Sequence, residues 1–176
     1  SLETTEVTVY WFQILNSFFI ITLASSFSKL WEKVWNPSGP VKFALGLIFV
    51  AVGFFALSYG SLSIPQGAKT ATVSMIWLIL AYFFHTLGEL CLSPVGLSYV
   101  SKLSPKKFVG LLFGFWFTAS AIANYIAGYT GAYIDKISAM YSLSTFFIII
   151  AALPLSAALM LLLFNKKLVK MMHGIK

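Results

Sequence analysis

Five apolar runs dominate the sequence: Tyr10 to Phe27, Phe43 to Tyr59, Ala71 to Val100, Phe108 to Ala132 and Tyr141 to Phe164. A helix needs roughly 20 apolar residues to cross the hydrocarbon of a bilayer, and each run approaches or exceeds that. Lipid cannot satisfy exposed backbone groups, so a spanning segment is either a helix or a strand of a closed barrel. Barrel strands alternate in polarity over about ten residues, and these runs are longer and more uniformly apolar. The pattern therefore predicts an all-α integral membrane fold with five transmembrane helices. The clusters Asn36-Pro37-Ser38-Gly39-Pro40 and Ser63-Ile64-Pro65-Gln66-Gly67 fall between runs as turns. The third run, about 30 residues long, exceeds a bare crossing and predicts a tilt or a cytoplasmic extension. Gly88 and Ser93-Pro94 within it predict a kink or hinge, because proline removes a backbone donor.

Composition closes off other classes. Residues are 59% hydrophobic and only 10% charged, whereas soluble domains carry about 25% charged residues. The net charge of +7 does not mark a nucleic-acid binder. Arginine is absent, and the lysines flank the spans rather than forming a basic face with base-stacking aromatics. Ten lysines (29, 33, 42, 102, 106, 107, 166, 167, 170 and 176) fall on one side of the spans and two (69 and 136) on the other. By the positive-inside rule the rich side, with the C-terminus, is cytoplasmic. The chain then starts on the external side with acidic SLETTEV and no signal-peptide pattern, so N-terminal helices are expected before Ser1. Cys91, the single cysteine, reads as a small packing residue.

Of the five acids, Glu3, Glu6, Glu32 and Asp135 fall at or beyond span ends, while Glu89 sits mid-span in HTLGELCLSP. A charged side chain there is costly and is kept where it faces a cavity, a partner or a proton path. Desolvation favours its neutral form and a nearby cation its charged form, so ligand occupancy would alter its protonation. His85 and Ser93 lie one turn either side of Glu89. For His85 the spacing allows a proton-sharing pair, yet a neutral imidazole bonded to backbone or water is the favoured reading. Serine in a membrane helix usually bonds to its own helix or a neighbour. Gln13 and Asn16 share a face of the first span, where two amides either join helices or bind a ligand. Trp116 lies deep in the fourth span, with packing the default, whereas Trp31 and Trp35 read as interface anchors. Gly46, Gly53, Gly110, Gly114, Gly128 and Gly131 read as helix-packing positions. No zinc-ligand cluster, phosphate-binding glycine loop or serine nucleophile with a base is present.

These residues resemble a known family. Gly88-Glu89-Leu90-Cys91-Leu92-Ser93-Pro94-Val95-Gly96-Leu97-Ser98, ending in Lys102-Leu103-Ser104-Pro105, resembles the tenth-helix signature of the proton-coupled oligopeptide transporters, a branch of the major facilitator superfamily. Trp11-Phe12-Gln13-Ile14-Leu15-Asn16 is similar to the start of the eighth helix. Gly114-Phe115-Trp116-Phe117, with Asn124 to Gly128, is similar to the eleventh. Where relatives commonly have Asn-Pro and Ala-Pro on the eighth helix, this chain has Asn16-Ser17 and Ala24-Ser25, so the resemblance does not extend to those proline bends.

The resemblance implies helices eight to twelve of the C-terminal six-helix bundle of a major facilitator fold. It implies proton-driven symport of di- and tripeptides across the bacterial inner (plasma) membrane, with the proton as coupling ion and no other cofactor. It assigns Glu89 to the substrate's amino terminus with Ser93 beside it, Asn16 to the peptide backbone, and Trp116 to an apolar wall. His85 and Gln13 receive no role from it and remain secondary candidates on spacing alone. The family's first-helix coupling motif has no counterpart here, so the chain is expected to form one wall of a cavity completed by N-terminal helices. Rival readings are transport of nitrate or a glycoside, a non-transporting scaffold subunit and, more distantly, an intramembrane enzyme using His85 and Glu89.

Overall fold

A computed structural model of the chain describes residues 9–65 and 74–172, with side chains from residue 13 onward. The predicted span start at Ala71, Gln66-Gly67 of the second turn cluster, Lys69 and Lys176 lie outside the described residues, as do the side chains of Trp11 and Phe12. The elements are α1 (Val9–Lys29), a π-helical turn (Leu30–Val34), α2 (Gly39–Gly60), α3 (Met75–Leu103), a 3-10 turn (Lys106–Phe108), α4 (Val109–Ala132), short α5 (Ile134–Met140) and α6 (Leu143–Met171). Five of these segments are long and apolar enough to span a bilayer, and no strand occurs among the described residues. The last helix continues past the apolar run ending at Phe164, because backbone hydrogen bonding does not stop where hydrocarbon does.

Local chemistry sets several ends. The backbone N–H of Trp35 donates to Leu30 O at 2.9 Å, closing the π turn, and Asn36-Pro37 stops the helix. Pro40 occupies the first turn of α2, where its missing N–H has no intrahelical partner to lose. Ser142 caps α6 by accepting from the Thr145 N–H at 3.1 Å. Within the spans, hydroxyls donate back to their own helix, as Thr22 to Phe18 O, Thr86 to Tyr82 O and Thr118 to Gly114 O, each at 2.8 Å. Such bonds satisfy polar groups that lipid could not.

Helix α2 is the most heavily packed of the described helices, lying against both α3 and α6. Polar pairs join α2 and α6 at both ends. Ser38 Oγ donates to Asn165 Oδ1 at 2.7 Å, and the hydroxyls of Ser58 and Ser144 lie 2.8 Å apart. Between α2 and α3 the contact is made by glycine. Gly39, Gly46, Gly53 and Gly60 recur every seventh residue on α2 and face Tyr99, Leu92 with Gly88, His85 and Trp77 of antiparallel α3. A Cβ added to Gly46 would lie 2.9 Å from Gly88 O, and one on Gly88 would lie 2.8 Å from Gly46 O. Small residues at such positions let backbones approach and gain dispersion contact where the hydrophobic effect gives nothing. Gly88 thus serves as a contact point, and α3 runs as one helix through it and through Pro94.

The packing reading holds for Gly46 and Gly53. On α4 the described residues make no such contact, since a Cβ at Gly110, Gly114, Gly128 or Gly131 would meet none of them within 4 Å. No residue of α4 is buried, and its described contact with α3 is confined to the end near the 3-10 turn. Helix α1 runs unbroken through Asn16-Ser17 and Ala24-Ser25 and packs on α3, not on α2.

The glycine contact makes a quantitative prediction. Gly46→Ala and Gly88→Ala should each lower stability by about 1–3 kcal/mol, the usual penalty of overpacking. Gly114→Ala should be neutral or slightly stabilising, since alanine favours helix and meets no neighbour. Thermal unfolding in detergent, followed by circular dichroism, measures all three.

Candidate functional site

Helix α3 carries the candidate site, and its rotation is set by what it buries. Gly88, Cys91 and Tyr99 meet α2, while Phe83 meets Phe19 of α1 edge-on with ring centroids 5.4 Å apart. On a third side the Trp116 indole of α4 covers Gly96, so closely that a Cβ there would overlap the ring. At 100° per residue, Glu89 projects within roughly 20° of Gly96, and Ser93 roughly 40° further toward α1. Both therefore face the open arc between α4 and α1. Glu89 is accordingly exposed and Ser93 half-buried, whereas the adjacent Gly88 and Leu90 are buried. Glu89 has no hydrogen-bond or ion-pair partner among the described residues.

The structure thus brings Glu89, Ser93 and Trp116 onto one stripe. Trp116 closes its lower end, and beside it a cavity of about 460 Å³ is lined by Phe43, Gly96, Tyr99, Leu112 and Phe115. Gly96 is the residue that sequence reasoning missed, although it lies seven positions, two turns, after Glu89 and so on the same face. Its missing side chain is the bed on which the indole rests.

His85 and Gln13 are placed differently. The His85 ring packs on Gly53 and lies 4.7 Å from the Phe54 ring. Its Nε2 is buried without a hydrogen-bond partner among the described residues. It points to α2, so the structure does not pair it with Glu89. Gln13 is exposed and Asn16 half-buried on α1. From the Phe19–Phe83 register, with α1 and α3 parallel, Asn16 lies about 13 Å along the helix axis from Glu89. These two do not touch. Trp31, half-buried, has Lys42 Nζ 5.3 Å above its ring, while Trp35 is 51% exposed. No group of three or more metal-ligating side chains occurs among the described residues.

Comparison with known proteins decides the family. The family model described as PTR2, POT family, matches residues 1–149. This chain belongs to the POT family. Its POT relatives include the peptide transporter YePEPT of Yersinia enterocolitica, 37% identical over 163 residues, covering 90% of this chain and 32% of that protein. The di-/tripeptide transporter of Lactococcus lactis subsp. cremoris is 30% identical over 168 residues, covering 94% of this chain and 32% of the relative. A crystal structure of a peptide transporter POT in complex with sulfate superposes with a TM-score of 0.75 at 34% identity, covering 95% of this chain and 33% of that one. A POT family transporter in complex with a thioalcohol-conjugated peptide gives 0.73 at 29% identity over 88% of this chain and 31% of its own. The chain spans about a third of the length of these relatives. The all-α membrane fold of the POT transporters is thereby the fold of this chain.

A labelling experiment reads the open arc directly. In a Cys91→Ser background, Glu89→Cys should react with a charged, water-soluble thiol reagent. In the protein without these substitutions, Cys91, 0% exposed, should stay unmodified. Absence of labelling at position 89 would mean that this arc faces lipid.

Proposed function

We propose that this chain forms one wall of the central cavity of a proton-driven symporter of di- and tripeptides in the bacterial inner membrane, with its lysine-rich end and C-terminus in the cytoplasm. The observation that carries the reading is the unpartnered carboxylate of Glu89 on the open arc of α3. A carboxylate at mid-membrane depth costs at least a few kcal/mol, and an ammonium group brought beside it offsets part of that cost. A peptide's amino terminus supplies such a group, and relatives that carry this segment are named peptide transporters.

The remaining assignments follow from the size of the ligand. Trp116 offers an apolar floor for a side chain, and Ser93 a hydroxyl one turn from Glu89. Asn16 reaches the far part of a peptide backbone, because an extended tripeptide spans roughly 10 Å, close to the offset between the two helices. Gln13 and His85 take no direct part. Helices outside this chain supply the opposite wall and the principal proton coupling, and the two walls rock about the site. The reading makes this a transporter and not an enzyme, with the proton as its coupling ion and no bound cofactor.

In the full-length transporter, Glu89→Gln should reduce peptide-driven proton uptake more than about tenfold, which is 1.4 kcal/mol or more of lost interaction. Wild-type uptake kinetics in this variant would refute the assignment. Dialanine should compete for uptake of a labelled dipeptide; a scaffold, or a carrier of nitrate or glycosides, would show no competition.

A further inference from the structure

At the lysine-rich end, α1 and α2 diverge. Both helices approach α3 while α1 makes no packing contact with α2, and the wedge between them holds a cavity of about 390 Å³. Its inner surface is mainly apolar, with Ala24 and Phe27 of α1 facing Leu90, Pro94 and Val95 of α3, and carries the hydroxyls of Ser28 and Ser98. Its mouth carries Lys42, Lys102 and Glu32. Lys42 is held in place: Nζ donates to Asn36 Oδ1 at 2.8 Å and lies over the Trp31 ring. The indole Nε1–H of Trp31, buried in the wall, has no acceptor among the described residues.

We propose that this wedge binds a membrane phospholipid through its phosphate. Two lysines at one mouth repel each other, and an anion between them relieves that repulsion. A rotation of the Trp31 ring toward the wedge would give its unmatched N–H a phosphate oxygen. The order of the lining, mainly apolar within and cationic at the end where headgroups lie, matches a lipid with its acyl chain against Phe27 and Leu90. Basic pockets between transmembrane helices at the cytoplasmic face take anionic headgroups in this way. A soluble anion would find no use for the mainly apolar inner surface, which favours the lipid over free phosphate. Glu32 at the mouth selects among headgroups, because its carboxylate accepts from the hydroxyls of a glycerol headgroup. The site is separate from the Glu89 arc: it lies on the other side of the α1–α3 contact, and its occupancy does not depend on the peptide reading.

Native mass spectrometry of the full-length transporter, titrated with phosphatidylglycerol in mild detergent, tests the proposal. One tightly held lipid is expected, weakened about tenfold or more by Lys42→Gln with Lys102→Gln. Trp31→Phe, which keeps the ring and removes the N–H, should also weaken it. Equal weakening by Lys33→Gln with Lys170→Gln, at the same end but outside the wedge, would reduce the effect to general surface charge and overturn the proposal. Diacylglycerol binding as tightly as phosphatidylglycerol to the unaltered protein would overturn phosphate recognition. Displacement of the lipid by millimolar inorganic phosphate would show an anion site only. The last two comparisons need no variant, so they stand even where the double substitution fails to fold.

Discussion

The close approach of α2 and α3 is the constraint on which the candidate site depends. Glycines every seventh residue on α2 let α3 lie with Gly88, His85 and Tyr99 against them, and that contact fixes the rotation of α3 about its own axis. A slip of one residue in this interface would turn α3 by about 100°. Glu89 would then leave the open arc, and Trp116 would lose Gly96 as its seat. The position of a carboxylate in the membrane is in this sense determined by hydrogen atoms on the neighbouring helix.

Many hydroxyls elsewhere in the described spans find partners within the bundle. Threonine and serine hydroxyls return to their own helices, and Ser58 with Ser144 and Ser38 with Asn165 join α2 to α6. The His85 ring packs against α2. Against this background an acid without a partner at mid-span is an unmet electrostatic demand, and a ligand cation is the chemistry that meets it. Under the proposed reading, Ser93 and Trp116 would add a polar and an apolar contact for a small molecule bearing an ammonium group and a variable side chain.

Much of this was legible in the sequence because the bilayer allows so few solutions. Span number and helical class follow from run length, and the polarity of Glu89 against its surroundings marked it as a functional candidate. The glycine repeat was equally visible at positions 39, 46, 53 and 60, but its meaning depends on a partner helix that one sequence does not show. The same limit explains why Gly114 and Gly128 looked like packing residues and have no described neighbour. His85 and Glu89 share a face by four-residue spacing, yet four residues turn roughly 40° past a full circle. At the edge of an interface that angle is enough to send one side chain to α2 and the other to the open arc. Gly96 escaped notice because it contributes an absence, on which another helix's indole rests.

The central claim is that Glu89 engages the amino terminus of a bound peptide. A double-mutant cycle on binding to the full-length transporter tests it most directly: wild type and Glu89→Gln, each titrated with a dipeptide and with the same dipeptide lacking its amino group. The account predicts strong coupling, with loss of the amino group weakening binding to wild type about tenfold or more and scarcely affecting the variant. If the two losses simply add, the ammonium lies elsewhere and Glu89 is not its partner.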